Sequence, residues 1–224
     1  MSSSIVVLSA PAGGGKTTIA KAVRDEFPDR FGFSVSATTR TPRAGERAGE
    51  AYHFITRNEF LRRKEAGDFL ESAEYAGELY GTLREEVERV RKSGRHVLLD
   101  IEVDGAEQVK KLEPKTIRLF ILPTSPETWM QRLFSRKSET PDQIRRRLAR
   151  AREEFSYAAH FDRLVTNDDL KDAVQQVVRA VDEGPGYQRN QRELAWELDL
   201  LSKYKTYLEQ QLGRLNREIH QQRG

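Results

Sequence analysis

Short apolar runs alternate along the chain with segments in which apolar positions recur at helical spacing. The runs are rich in β-branched residues and have no polar alternation, as expected for strands buried on both faces of a parallel sheet. They are IVVLS (5–9), HVLLDIEV (96–103), TIRLFIL (116–122) and the start of RLVTNDDLKDAVQQVVRAV (163–181). Strands that alternate with helices over residues 1–182 predict an α/β fold with a mainly parallel sheet.

Residues 33–83 break this alternation. The segments FSVSATT, AYHFI and FLESAEYAGELYGT read as short strands and turns around a single helix. The pattern therefore predicts a small mixed β subdomain inserted into the parallel core at 33–83.

A linker and a long helix are predicted at the C-terminal end. Residues 183–188 contain two glycines and a proline, which interrupt regular structure. In the segment 189–224, apolar residues recur every three or four positions, while Lys205 takes one of the core positions. The apolar positions are Leu194, Leu198, Leu201, Leu208, Leu212, Leu215 and Ile219. The repeat fits either a coiled coil that joins two copies as a homodimer or an amphipathic helix lying on its own domain.

The stretch LSAPAGGGKTT (8–18) follows the first predicted strand and opens the first predicted helix. It matches the phosphate-binding pattern G-x-x-x-x-G-K-[ST] except that Ala10 replaces the first glycine. Backbone N–H groups of such a loop surround phosphate oxygens, and the helix dipole adds positive potential. Ala10 changes only the point where the chain leaves the strand, so we expect the loop to work, with Lys16 on the transferred phosphate and Thr17 on Mg²⁺. The alternative is a glycine-rich turn with a chance Lys-Thr pair.

Composition excludes several classes of protein. The net charge of +3 over 224 residues gives no support for nucleic-acid binding, and the absence of cysteine excludes disulfide frameworks and thiolate metal sites. The first apolar run is too short for a signal peptide or a membrane span, so we expect a soluble, cytoplasmic protein with no membrane partner. The four histidines lack the spacing of metal ligands, and we assign them no metal and no catalytic role.

The segment SVSATTRTPRAGE (34–46) places Arg40 and Arg43 three residues apart on a loop. Two such arginines can form a fork for a second phosphate, although an isolated pair would be a solvated basic turn. Here the whole segment closely resembles guanylate kinases. Further segments extend the resemblance in order over about residues 4–182, but not to the tail: EAYHFI, FLESAEYAGELYGT, RHVLLDIEVDGAEQV, FILPTSPETWMQRL, RKSETPDQIRRRLARAREE and TNDDL.

The resemblance implies a three-layer P-loop fold, a GMP site in the inserted subdomain and the reaction ATP + GMP giving ADP + GDP. It leaves open whether dGMP is also an acceptor. The GMP-binding residues that it implies are Ser36, Arg40, Arg43, Tyr52, Glu71, Tyr80, Thr82 and Glu102. Among them, Ser36, Glu71 and Thr82 would read the guanine edge, because a carboxylate accepts hydrogen bonds from both the ring N–H and the exocyclic amine. Adenine reverses that donor pattern and would leave buried groups unpaired.

The resemblance also assigns the ATP side. The implied ATP-binding residues are Ala10, Pro11, Ala12, Gly13, Gly14, Gly15, Lys16, Thr17, Thr18, Arg132, Asn167 and Asp168. A lid at 134–148 would carry Arg136 and Arg147, which together with Lys16 and Arg40 are the implied catalytic residues. Thr17 and Asp100 would hold Mg²⁺, Asp100 through water. An N-cap of the following helix is the competing role for one of the aspartates in TNDDL.

Two positions depart from the family pattern, since this chain has Glu102 and Asp104 where aspartate and glutamine are more usual. Three other interpretations stay open at this stage. They are a kinase for a different phosphate acceptor, a guanylate-kinase-like module that binds protein without catalysis, and a nucleic-acid-binding domain. The retained Lys16, Thr17 and lid arginines argue against the second, and the modest charge argues against the third.

Overall fold

A computed structural model of the chain describes residues 3–75, 77–134 and 140–223. The chain divides into two compact units. The first comprises Met1–Leu8 and Ala20–Arg118, and the second comprises Ser9–Ile19 and Leu119–Gly224.

The five strands of the main sheet follow the order β2-β7-β1 in the first unit and β8-β9 in the second. They are β1 (Ile5–Ser9), β2 (Phe31–Phe33), β7 (His96–Asp100), β8 (Ile117–Leu122) and β9 (Arg163–Thr166). In the first unit β7 pairs in parallel with both β1 and β2, with Ile5 opposite Val97 and Phe31 opposite His96. In the second unit β8 pairs in parallel with β9, with Leu119 opposite Arg163. Every residue of β1 and β8 is buried, which explains their continuous apolar sequence and confirms the predicted parallel sheet.

A second, four-stranded sheet occupies the inserted segment of the first unit. Its strands are β3 (Ala37–Thr38), β4 (His53–Phe54), β5 (Phe69–Tyr75) and β6 (Glu78–Leu83), in the order β4-β3-β6-β5. β3 pairs in parallel with β4 and antiparallel with β6, so the sheet is mixed, as predicted. Its own small core contains Phe60 and Phe69, whose rings stack with centroids 4.4 Å apart.

The helices of the first unit flank these strands. They are α2 (Arg57–Glu65), α3 (Arg84–Lys92) and α4 (Val103–Leu112), together with most of α1 (Lys16–Glu26). α1 begins in the second unit directly after the glycines of the predicted phosphate loop. α4 follows β7 after only two residues, which places the start of α4 at the carboxyl end of that strand, where α/β folds bind ligands.

The helices of the second unit are α5 (Pro126–Leu133), α6 (Pro141–Ala158), α7 (Leu170–Glu183) and α8 (Gln191–Arg223). Proline opens both α5 and α6, where its missing N–H is not needed. Thr140 and Gln143 form a reciprocal capping box at the start of α6. Among the described residues, no helix is long and apolar enough to cross a membrane.

The C-terminal helix α8 packs on its own chain. Leu201, Tyr204, Leu208 and Leu212 are buried within the second unit, whereas Leu194 and Leu198 are 40% and 50% exposed. The ring of Tyr204 contacts the rings of Trp129 in α5 and Phe155 in α6. The burial therefore supports the docked amphipathic helix, because the middle of the leucine repeat is already covered within one chain.

Candidate active site

The glycine loop (residues 10–15) connects β1 to α1 in the second unit. Gly13 and Gly15 have φ angles of 82° and 88°, a region that residues with a side chain seldom adopt. The N–H of Gly14 donates to the carbonyl of Pro11 at 2.8 Å, which closes a tight turn. The loop thus has the strand-turn-helix geometry that presents backbone N–H groups at a helix N-terminus.

The unusual Ala10 fits this geometry. Its side chain is 4% exposed. A Cβ at Gly14 would lie 2.6 Å from the Cβ of Ala10, so the methyl group of Ala10 borders the space that Gly14 leaves by having no side chain. The substitution is accommodated inside the turn and leaves the exposed side of the loop unaltered.

Side chains support the glycine loop from behind. The indole Nε1 of Trp129 donates to the carbonyl of Ala12 at 3.1 Å. The amide of Asn167 donates to the carbonyl of Gly14. A Cβ at Gly15 would lie 2.5 Å from the Nδ2 atom of Asn167, so a side chain there would displace this amide in addition to straining the backbone. Trp129 was not among the predicted site residues. Its role depends on a hydrogen bond to a residue 117 positions earlier in the chain, which no local pattern indicates.

The predicted ATP-binding residues that follow β8 make two sets of hydrogen bonds. Arg132 donates to the side-chain oxygen of Asn167 at 2.7 Å, and Asp168 accepts from the backbone N–H of Thr124 at 3.1 Å. Asp169 is the N-cap of α7, which gives the capping role to the neighbour of Asp168. The structure brings Arg132 and Asn167 together at the glycine loop. A contact of Asn167 or Asp168 with adenine stays a prediction.

The remaining residues predicted for ATP binding and phosphoryl transfer lie at the start of α1 and in the predicted lid. Lys16 is half-buried in the first turn of α1, and Thr17 and Thr18 are exposed beside it. Arg147 is half-buried in α6. Arg136 lies outside the described residues, as do its neighbours at 135–139.

A buried carboxylate lies among the residues predicted to bind the acceptor nucleotide in the first unit. Glu71 on β5 is 5% exposed, and the hydroxyl of Thr82 on β6 donates to its Oε1 atom at 2.7 Å. A Cβ at Gly105 would lie 2.6 Å from the Oε2 atom, so α4 closes on the carboxylate only because residue 105 is glycine. Charged groups are seldom fully buried unless they are paired, and the hydroxyl of Thr82 supplies one partner for this carboxylate.

Gln108 holds the strand that carries Glu71. Its side-chain amide accepts from the N–H of Ser72 at 3.2 Å and donates to the carbonyl of Ser72 at 3.1 Å. The predicted set of site residues did not include it. Gln108 follows Gly105 by three residues and so lies on the same face of α4. This spacing is the one feature of the sequence that could have indicated its role.

Arg40 is held in place by neighbours on the same loop. Its guanidinium donates to Glu46 at 3.0 Å and to the carbonyl of Thr41 at 2.7 Å. It also lies over the ring of Tyr52, 5.5 Å from the centroid. The hydrogen bond that Arg40 donates to Glu46 raises the pKa of Arg40 and lowers the pKa of Glu46.

The other predicted phosphate ligands lie around this arginine. The rings of Tyr52 and Tyr80 meet edge to face with centroids 5.9 Å apart. The backbone N–H of Arg43 donates to Glu46 at 2.8 Å, while its side chain is exposed. Glu46 therefore organises both arginines, a role that sequence reasoning missed.

Three acidic residues lie at the carboxyl end of β7. Asp100 is the last residue of the strand, and Glu102 is the N-cap residue of α4, although its side chain makes no capping hydrogen bond. Asp104 is exposed in the first turn of α4, where a negative charge is favourable toward the positive end of the helix dipole. The dipole gives a physical reason for aspartate at this unusual position.

The fold and these two sites define a P-loop phosphotransferase of the α/β class. The family model for guanylate kinase matches residues 2–184. A guanylate kinase from Clostridium perfringens (strain SM101 / Type A) is 43% identical over 173 residues, which cover 77% of this chain and 80% of that protein. One from Synechocystis sp. (strain ATCC 27184 / PCC 6803 / Kazusa) is 45% identical over 179 residues, covering 80% and 93%.

A solved structure agrees. The guanylate kinase from Anaplasma phagocytophilum superposes with a TM-score of 0.65 at 28% identity, covering 91% of this chain and 96% of that one. The chain belongs to the guanylate kinase family. The predicted fold class, the enzyme class of nucleoside monophosphate kinase and the GMP-phosphorylating activity are thereby confirmed.

Proposed function

We propose that the first unit of this chain binds GMP through the Glu71 cluster and that the glycine loop of the second unit binds the phosphates of ATP. The observation that carries the proposal is the buried pair of Glu71 and Thr82, closed by Gly105. An ionised carboxylate has about four lone-pair sites, so Glu71 can accept from Thr82 and also from the two N–H donors on the guanine edge.

Selectivity follows from the same pair. Thr82 orients Glu71, and the half-buried Ser36 supplies a hydroxyl that can donate to the guanine carbonyl. Adenine would present an acceptor nitrogen and a C–H group to the carboxylate, which can only accept, so each of its lost hydrogen bonds would cost about 1–3 kcal/mol. Glu102, the N-cap residue of α4, would make a further contact with the acceptor nucleotide, and dGMP presents the same guanine edge.

The phosphate of GMP binds at Arg40, with Arg43, Tyr52 and Tyr80 completing the set. Arg40 is pre-oriented by Glu46 and by the Tyr52 ring, so little side-chain entropy remains to be lost on binding. The two tyrosine hydroxyls can donate to the remaining phosphate oxygens.

Transfer of the γ-phosphoryl group needs positioning and charge neutralisation rather than a general base, because the attacking phosphate oxygen is already ionised. Lys16, Arg40, Arg147 and Arg136 supply the protein's positive charge. The hydroxyl of Thr17 and the carboxylate of Asp100 are hard oxygen ligands of the kind that Mg²⁺ takes from proteins, the rest coming from water and phosphate. The metal would neutralise charge on the phosphate oxygens.

The proposal is tested by ADP formation from Mg·ATP with GMP, dGMP, AMP, UMP, CMP or no acceptor. We expect turnover with GMP and dGMP alone, with Lys16→Ala as the blank. Turnover without guanine selectivity would favour a different phosphate acceptor. Folded protein that binds GMP without any turnover would favour the non-catalytic binding module.

We further propose that the enzyme works in the cytoplasm, where both nucleotides are available, and that α8 is not a dimer seam. The buried Leu201, Leu208 and Leu212 support this. Sedimentation of the full chain is expected to show one species of 25.8 kDa, and a dimer would contradict it.

A further inference from the structure

The helix α8 lies beyond the residues that the family model matches, yet one of its side chains reaches the connection between β8 and α5. Tyr204 is fully buried, and its ring packs against Phe155 and Trp129 with centroid distances of 4.9 and 5.9 Å. Its hydroxyl donates to the carbonyl of Pro123 at 2.6 Å and lies 3.1 Å from that of Ser125. Burial raises the pKa of Tyr204, so the hydroxyl keeps its proton at every working pH.

The connection that Tyr204 contacts fixes the start of α5. Ser125 is the N-cap of α5, and its side chain accepts from the N–H of Thr128 at 3.2 Å. Asp168 accepts from the N–H of Thr124, between the two carbonyls that face Tyr204. Asp168 therefore binds the N–H of the middle residue of segment 123–125, and Tyr204 binds the carbonyls of the residues on either side. These hydrogen bonds fix the position at which α5 begins.

The helix α5 in turn contacts the glycine loop twice. Trp129 donates its indole N–H to the carbonyl of Ala12 at 3.1 Å. A Cβ at Gly13 would lie 3.2 Å from the backbone of Leu133, so the last turn of α5 lies directly against the loop. The indole that bonds the loop is the same ring that packs on Tyr204.

From these contacts we propose that Tyr204 is a positioning residue for the glycine loop, acting through α5 and Trp129. The C-terminal helix then supports the ATP site of this chain without touching the glycine loop through any contact described above. The inference rests on the proposed role of the glycine loop in ATP binding. Any displacement of Trp129 moves the carbonyl of Ala12 and changes the directions of the N–H groups that face phosphate.

The test compares Tyr204→Phe with Tyr207→Phe. The first variant keeps the buried ring and removes only the hydroxyl, and the second makes the same change on a half-buried tyrosine of the same helix. Equilibrium dissociation constants for Mg·ATP and for GMP are measured on each full-length protein below the onset of thermal unfolding. We expect ATP binding to weaken by up to about fivefold in Tyr204→Phe, since the hydrogen bond acts only by pre-organising the loop and its full value is the upper limit, with GMP binding unchanged and no change in Tyr207→Phe.

A second variant tests whether Tyr204 acts on the glycine loop through Trp129. Trp129→Phe keeps an aromatic ring but removes the donor to Ala12, so it should weaken ATP binding in the same direction. If both residues act in series, the double variant with Tyr204→Phe is no weaker than Trp129→Phe alone.

Several outcomes would overturn the inference. A lower melting temperature of Tyr204→Phe with unchanged ATP affinity would make Tyr204 a packing residue only. Equal weakening of ATP and GMP would indicate general loosening of the chain, and fully additive effects would exclude the route through Trp129. Failure of the unsubstituted protein to bind Mg·ATP would instead contradict the proposed function of the loop.

Discussion

In the first unit the groups that would face a nucleotide are side chains that hold one another, whereas in the second unit they are backbone groups held by side chains behind them. Glu71 is fixed by Thr82, and Arg40 is fixed by Glu46. The glycine loop is fixed by Trp129 and Asn167, which bond to its carbonyls. Guanine has a distinctive edge that side chains can read, while the phosphates of ATP are bound through repeated N–H groups.

The difference implies that substitutions in the two regions have distinct signatures. A change in the first unit should alter the affinity for GMP and the choice of base. A change behind the glycine loop should alter the affinity for ATP and leave base selectivity alone.

Lys16→Ala should give the largest effect. We expect turnover to fall by about 10³-fold, because the charge that neutralises the transferred phosphoryl group is lost. The dissociation constant for GMP should stay the same. Lys21→Ala is the matched control, since Lys21 lies on the same helix in an exposed pair with Asp25. Near-normal turnover of Lys16→Ala would contradict the assignment of the loop.

Glu71→Gln should reduce kcat/KM for GMP by about 10²-fold, because the amide places an N–H donor against the N–H donors of guanine. The KM for ATP should be unchanged. Glu74→Gln, an exposed position on the same strand, provides the control. If Glu71→Gln kept full preference for GMP over AMP, Glu71 would not be the residue that reads the base.

Gly105→Ala should raise the KM for GMP by about tenfold, since the new methyl group forces the Glu71 carboxylate to move. The same substitution at Gly213 meets no atom nearer than 3.8 Å. Gly213→Ala should therefore raise the free energy of unfolding by about 0.5–1 kcal/mol without affecting either KM. Equal kinetic behaviour of the two variants would show that α4 does not control the carboxylate.

Glu46→Gln should have the smallest effect, about a threefold rise in the KM for GMP, through looser placement of Arg40. Arg40 holds the pKa of Glu46 below its ordinary value of 4.5. The folded state therefore binds fewer protons than the unfolded state near that pH. The stabilisation by Glu46 is full above pH 4.5 and is lost as the pH falls through the lower pKa of the folded state.

Unfolding measurements at acid pH test the expected direction of this pH dependence. The difference in unfolding free energy between the unsubstituted protein and Glu46→Gln should shrink as the pH falls from 7 to about 3. The exposed pair of Arg47 and Glu50 offers a control, because Glu50→Gln should show little difference at any pH. A difference that grows in acid would refute the pairing.

The parallel sheet and the inserted mixed sheet could be predicted from the sequence because their signals are local. The apolar runs of β1, β7 and β8 have no polar alternation, and glycines stand where the loop needs positive φ. The acceptor residues came from the resemblance rather than from spacing, since Glu71 alone reads as an ordinary surface carboxylate.

The parts that sequence reasoning missed depend on contacts between distant positions. Nothing in the sequence around Trp129 indicates a bond to Ala12, and nothing around Tyr204 indicates one to Pro123. The leucine repeat of α8 left two interpretations open because periodicity identifies the apolar face and not what covers it. Burial of Leu208 and Leu212 within one chain supplies that information.

Crossed binding measurements on two variants test the central claim most directly, namely that the two nucleotides are recognised by separately built sites. Dissociation constants for GMP and for Mg·ATP are determined for Lys16→Ala and Glu71→Gln. The account predicts that Lys16→Ala loses affinity for ATP alone and that Glu71→Gln loses affinity for GMP alone. Parallel loss of both ligands in either variant would contradict it.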